Sequence, residues 1–141
     1  MRPILVTGIS GFIGGHVWAK LAHQDDVWGI YGSSGSVPIR PGRQISVDLT
    51  QPHKLVEVVK DLQPRCILHL ASISSISECR SNALLAWKIN HVVTRELATI
   101  ADGVDARMIF ASSDQVFGGR KGNYREGDPT DPLNVYGETK K

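Results

Sequence analysis

Apolar residues in this chain fall into two alternating kinds of run, short unbroken ones and longer ones with a helical period. Ile4-Leu5-Val6 is bounded by Pro3 and Gly8 and reads as a strand buried on both faces of a parallel sheet. Past a group of glycines, Ile13, Val17 and Leu21 recur every four residues up to His23. That spacing marks one apolar helix face. Val27–Tyr31 and Ile45–Val47 read as the second and third strands, with a loop rich in Gly, Ser and Pro over 32–43 between them. Leu55, Val58, Val59 and Leu62 give a helix that starts after Pro52 and stops before Pro64. Cys66–Leu70 is the fourth strand; Leu85, Ile89, Val93, Leu97 and Ile100 carry the longest helix, with Gly103 just past its end; Met108–Ala111 is the fifth strand.

Strands alternating with amphipathic helices predict right-handed crossovers and an α/β fold, a Rossmann-like doubly wound parallel sheet. The expected strand order is 3-2-1-4-5, with a ligand crevice at the carboxyl ends where the order reverses. Gly118 to Pro132 is poor in apolar residues and reads as a surface loop. Asp131 followed by Pro132 is the expected cap of a last helix carrying Tyr136 and Lys140.

At 141 residues the chain suits one domain, 1–141. With 41% hydrophobic and 21% charged residues it resembles an ordinary globular protein rather than a disordered one. A net charge of +2 with scattered Lys and Arg argues against a nucleic-acid partner. Cys66 and Cys79 form no CxxC pair, and His16, His23, His53 and His91 have no ligand spacing, so no metal site is expected. Met1 to Thr7 lacks the regions of a signal peptide, and no stretch is long enough to cross a bilayer. A cytoplasmic protein with reduced cysteines and no membrane association is the expectation. His69 reads as a satisfied strand histidine, and Trp18, Trp28 and Trp87 as packing residues.

The glycines Gly8, Gly11 and Gly14 follow a predicted strand and open a predicted helix. In that context Gly8 supplies a positive φ, Gly11 lets backbone approach a pyrophosphate, and Gly14 brings helix and strand together. The free N–H groups of the helix start favour phosphate.

Two residues separate the first pair of glycines, and here the chain resembles the extended short-chain dehydrogenases, whose fingerprint is TGxxGxxG. Asp48-Leu49 after strand three, His69-Leu70-Ala71-Ser72 at the end of strand four, Asn90 within the long helix, Ser112 to Gly118 and Tyr136-Gly137-Glu138-Thr139-Lys140 match that superfamily in order. The Ser-Ser-Asp-x-Val-Phe segment and the run Pro132 to Tyr136 are most similar to the dTDP-4-dehydrorhamnose reductase branch, which also includes a regulatory subunit of methionine adenosyltransferase.

The resemblance implies cofactor contacts at Gly8, Ser10, Gly11, Phe12, Ile13, Gly14, Ser33, Asp48, Leu49, Leu70, Ala71, Ser72, Tyr136 and Lys140. It implies catalytic roles for Ser113, Tyr136 and Lys140, with a nucleotide sugar as substrate. Tyr136 and Lys140 stand four apart and so share a helix face. An ammonium beside a phenol favours its ionised form, which helps proton exchange. Ser113 would bond the substrate oxygen. Asn90 reads either as a functional residue or as one that bonds neighbouring backbone and orders the sheet.

Tyr31 is followed by Gly32-Ser33-Ser34, with no acid to repel a 2′-phosphate, and Arg40 or Arg43 is a candidate to reach one. NADP(H) is therefore the expected cofactor, with NAD(H) the alternative. Relatives of this kind continue past YxxxK into a C-terminal substrate domain that is absent here, so the sequence reads as ending within the catalytic helix, a fragment or a naturally short protein. Poor activity of this chain alone is expected. A nucleotide-sugar 4-ketone reductase, a non-catalytic NADP-binding regulatory subunit, and an NAD-dependent epimerase or dehydratase all stay open, as does a homodimer.

Overall fold

The computed structural model describes residues 2–24, 26–32 and 42–141. Five strands, β1 (Ile4–Thr7), β2 (Val27–Tyr31), β3 (Arg43–Ser46), β4 (Cys66–His69) and β5 (Arg107–Phe110), form one parallel sheet in the order β3-β2-β1-β4-β5. The expected topology is therefore the observed one. Thr7 pairs with Ile30 on one side and His69 on the other, which aligns the carboxyl ends of the three central strands.

The unbroken apolar run in β1 follows from having cover on both faces. Leu5 packs with Ile67, Leu55, Val59, Val93 and Leu97 against the helices α2 (Pro52–Leu62) and α5 (Val93–Gly103), while Val6 packs with Ile9, Trp18 and Val27 against α1 (Phe12–Leu21). Gly29 makes room for this second cluster, because a Cβ there would stand 2.6 Å from Ile9 Cδ1 and 2.9 Å from the Trp18 ring. The buried centre of α1 is Gly14 and Trp18 rather than Ile13, which is 61% exposed.

The amino ends of the strands are closed by two arginines. Arg2 donates from Nε to the Gln63 carbonyl and from Nη2 to the carbonyls of Pro64, Val104 and Asp105, so one guanidinium serves the ends of both α2 and α5. A cation there also complements two helix dipoles. Gln63 and Asp105, the residues that turn the chain out of those helices, both have left-handed backbone, φ 47° and 51°. Arg65 donates to the Arg2 carbonyl and pairs with Asp26 at 2.7 Å, holding that carboxyl below the usual range.

Between β4 and β5 the chain is more elaborate than its periodicity suggests. A short helix α3 (Ile76–Ser81), capped by Ser75, was not expected. The long helix runs from α4 (Ala83–Ala86) through a π turn (Trp87–Val92) into α5. Because the π turn shifts the phase, the buried stripe is Ala86, Asn90, Val93, Leu97 and Ala101, and Leu85 and Ile89 move to its edge. The last helix, α6 (Val135–Lys140), begins later than expected: its cap is Asn134, whose Oδ1 accepts from the Gly137 N–H at 2.9 Å. Asp131 instead donates its N–H to the Val116 carbonyl. Among the described residues no helix is long and apolar enough to cross a membrane.

Candidate functional site

The turn after β1 depends on two glycines for different reasons. Gly8 has φ +77°, and a Cβ on it would lie 2.6 Å from the Ala71 nitrogen; a Cβ on Gly14 would lie 2.0 Å from the Gly8 oxygen. The first glycine thus lets β1 meet the end of β4, and the second presses α1 onto the turn. Gly8 and Ile9 both donate to the Ile30 carbonyl, at 2.9 and 3.1 Å, which ties the turn to β2. At Gly11 a Cβ would meet only the Gly8 oxygen, at 3.3 Å. Its lack of a side chain matters more for what can approach from outside.

Helix α1 starts with no side-chain cap and no acid in its first turn. The amides before its first internal bond therefore face out with the positive end of the dipole. Phe12 is 85% exposed beside them, so two large apolar side chains, Phe12 and Ile13, stay on the surface at this helix start.

A crevice of about 330 Å³ opens above the carboxyl ends of β1, β2 and β4. Of the residues expected to hold a cofactor, Gly8, Ser10, Gly11, Asp48, Leu49, Leu70, Ala71 and Ser72 line it. Phe12, Ile13 and Gly14 lie next to it on α1, and Ser33 falls outside the described residues. Tyr31, Ile73, Glu78, Leu85 and Ile89 also line it and were missed. Leu85 and Ile89 show in the sequence only as members of the helical period, because the π turn is not visible in it, and Glu78 stands on the unexpected α3.

Asp48 serves its own loop. Oδ1 accepts from the Thr50 amide at 2.9 Å and the Thr50 hydroxyl at 2.7 Å, and Oδ2 from Gln51 at 3.2 Å. These bonds hold its carboxyl below the ordinary value. Arg43 stands at the amino end of β3, 5.6 Å from the Trp28 ring centre. Three strand residues separate it from the crevice end of the sheet and it is not among the residues lining the crevice, so the structure does not bring it to the expected place; Arg40 lies outside the described residues.

The residues expected to do chemistry gather on the β5 side. Ser113 caps a 3₁₀ turn over Asp114–Val116, accepting from the Gln115 amide and donating to Asp114 Oδ1, both at 3.2 Å. Helix α6 sits against this turn: a Cβ on Gly137 would be 2.1 Å from the Gln115 oxygen, and Asn134 donates to Gln115 Oε1 at 2.9 Å. Gly137 is thus what allows Tyr136 and Ser113 to belong to touching elements. Its signal was a glycine inside a helical segment, which usually marks a close approach. Lys140 is buried, with its ammonium 4.1 Å above the Phe110 ring, and burial lowers its pKa to about 8. Ser113, Tyr136 and Lys140 are not among the residues lining the 330 Å³ crevice; Lys140 lines a smaller cavity of about 190 Å³ beside Asn90, Thr94 and Phe110.

Asn90 joins the two regions. Its Oδ1 accepts from the Ile73 amide at 2.8 Å and the Ser72 hydroxyl at 3.1 Å; its Nδ2 donates to the Ile73 carbonyl at 2.9 Å and to Thr139 Oγ1 at 3.0 Å. Two of these four bonds go to the Ile73 backbone just past β4, so Asn90 does bond backbone beside the sheet, but backbone near in space rather than in sequence, and it also reaches the side chains of Ser72 and Thr139. His69 is the satisfied strand histidine expected, bonded to Thr7 and Thr94, and burial followed by the nearby Lys140 charge lowers its pKa to about 4.

A doubly wound sheet with a two-spaced glycine turn at its switch point and a YxxxK helix beside β5 defines a Rossmann-like domain of the extended short-chain dehydrogenase type. Within that class the chain belongs to the RmlD substrate binding domain family, whose model matches residues 1–141. It is 34% identical over 139 residues to methionine adenosyltransferase 2 subunit beta of Xenopus laevis, covering 99% of this chain and 40% of that protein. Among solved structures it is similar to a hypothetical dTDP-4-dehydrorhamnose reductase from Sulfolobus tokodaii, with TM-score 0.87, 29% identity and coverage of 98% of this chain and 49% of that one. MoeE5, solved in complex with UDP-glucose and NAD, gives TM-score 0.81 and 29% identity over 98% of this chain and 45% of that one. The chain therefore spans between two fifths and one half of the proteins it matches.

Proposed function

We propose that this chain is the NADP(H)-binding domain of a reductase acting on a nucleotide-sugar 4-ketone, of the dTDP-4-dehydrorhamnose reductase kind. The observation that carries the reading is the glycine turn, where backbone closeness at Gly8 and Gly14 leaves the bare start of α1 beside an open crevice. Residues present fit a dinucleotide: free amides for the pyrophosphate, and Leu49, Ile73 and Ile89 as apolar walls for a planar base. NADP(H) is favoured over NAD(H) because β2 ends at Tyr31-Gly32 without an acid, and of the two carboxylates lining the crevice among the described residues, Asp48 and Glu78, Asp48 is engaged by Thr50 and Gln51 and Glu78 stands on α3 rather than after β2.

When bound, the cofactor supplies the hydride. The chain's own residues orient the carbonyl and supply the proton. In this reading Tyr136 donates its hydroxyl proton to the carbonyl oxygen, and Ser113 turns its hydroxyl from Asp114 toward the same oxygen. Lys140, burdened by burial, is stabilised when a ribose hydroxyl or phenolate replaces the Phe110 ring as its partner.

A second reading rests on the 34% identity to a subunit of methionine adenosyltransferase: a nucleotide-binding subunit without turnover. Titration with NADPH and NADH, followed by addition of a dTDP-4-keto sugar to the full-length form, separates the readings. Tighter NADPH binding with oxidation on adding the sugar is expected. Binding without oxidation supports the subunit reading, and equal or tighter NADH binding overturns the cofactor assignment.

A further inference from the structure

The hydrogen bonds around His69 have a definite direction. Thr94 Oγ1 stands 2.6 Å from the Asn90 carbonyl, which can only accept, so the Thr94 hydroxyl proton goes there. Its lone pair is then left for His69 Nε2, 3.1 Å away, and Nε2 must carry the imidazole proton. Nδ1 is left as an acceptor, and the Thr7 hydroxyl at 2.7 Å is its donor. Thr7 Oγ1 in turn accepts the Ala71 N–H at 3.3 Å. Ala71 is the residue whose backbone would stand 2.6 Å from a Cβ on Gly8.

One neutral imidazole therefore connects the floor of the crevice to the helix whose Asn90 side chain bonds Thr139 of α6. We propose that His69 is a positioning residue: as the Nε2–H tautomer it makes the Thr7 hydroxyl face Nδ1, which keeps the Ala71 amide bonded and fixes the spacing between the glycine turn and the end of β4. A protonated ring would make Nδ1 a donor, so the Thr7 hydroxyl proton would lose the acceptor that orients it and the hydroxyl would have to turn, disturbing its bond from Ala71. Burial and the Lys140 ammonium, above the Phe110 ring that stacks on the imidazole, oppose that protonation; no carboxylate pairs with His69 among the described residues. The effect on affinity rests on the nucleotide-binding reading; the geometry does not.

The two amide replacements of histidine separate this role from packing, since asparagine can place an oxygen near Nδ1 and glutamine can place its amide near Nε2. Amide hydrogen exchange without nucleotide should show Ala71 protection kept in His69→Asn and reduced about tenfold in His69→Gln. NADPH affinity should fall less than about threefold in the first and about tenfold or more in the second. Nitrogen NMR of the wild-type ring should report the Nε2–H tautomer from pH 8 to 5. Equal loss of Ala71 protection in both variants, or an Nδ1–H tautomer, overturns the proposal. If either histidine variant fails to fold, Thr7→Ser and Thr7→Val make the same comparison, with protection kept in the serine and lost in the valine; equal protection overturns it. A wild-type chain that binds no NADPH contradicts the nucleotide reading alone, because the tautomer and the Ala71 exchange are measured without ligand.

Discussion

The two ends of the sheet are built in opposite ways. At the amino ends, long charged side chains fill the space: Arg2 reaches four carbonyls from two helix ends, and Arg65 links the start of β1 to Asp26. At the carboxyl ends, space is made by side chains that are missing. Gly8 and Gly14 bring three backbone segments together and, among the described residues, leave the start of α1 with no side-chain cap. One end satisfies its polar groups within the chain, and the other keeps some of them for a ligand. The difference predicts that damage at the amino end costs stability alone, whereas damage at the carboxyl end removes binding.

The largest expected effect is at Gly14. An alanine Cβ would overlap the Gly8 carbonyl at 2.0 Å, and backbone cannot yield as a side chain can. Gly14→Ala should cost more than about 3 kcal/mol and abolish nucleotide binding; thermal melts and an NADPH titration check both. A Gly14→Ala chain that binds normally would break the comparison.

Next is acid. His69 is 1% exposed and its pKa is lowered to about 4 from 6.5, so between those values the unfolded chain takes up a proton that the folded chain refuses. Stability should therefore fall as pH drops from 6.5 toward 4, by about 3 kcal/mol in all. Urea melts at several pH values measure this, and the slope assigned to His69 should vanish in His69→Gln.

Arg2→Ala removes the clamp at the other end. A loss of about 1–2 kcal/mol is expected, with nucleotide affinity unchanged. A large affinity change would mean that the ends are not independent. The smallest effect is at the α6 cap, where Asn134→Ala should cost about 1 kcal/mol. Because Asn134 also bonds Gln115 beside Ser113, turnover in the proposed reaction should suffer while NADPH affinity holds.

The sequence was most legible where chemistry is local. The strand runs, the glycine turn and Pro52 at the start of α2 each depend on a few adjacent residues, and the sheet order follows from their alternation. What it hid depends on distance. Asn90 looks like a polar interruption of a helix until Ile73, Ser72 and Thr139 are found around it. The π turn that puts Asn90 inward leaves no mark on a period of 3.6, so Leu85 and Ile89 fall in one helical series with Val93 and Leu97 although they border the crevice. Arg43 failed for a related reason: three residues of strand decide which end of the sheet it occupies, and β3 starts two residues earlier than its apolar content suggests. Likewise Asp131-Pro132 has the composition of a helix cap, but Asn134 holds that place through Gly137 and Gln115.

Amide hydrogen exchange of the chain with and without NADPH tests the central claim most directly, because both ends of the sheet are read in one measurement. New protection confined to the glycine turn and the start of α1, with Leu70 to Ile73, and no change around Arg2, Arg65 and Asp105, is the predicted result. Protection centred on the amino ends, or none at saturating NADPH, would contradict the account.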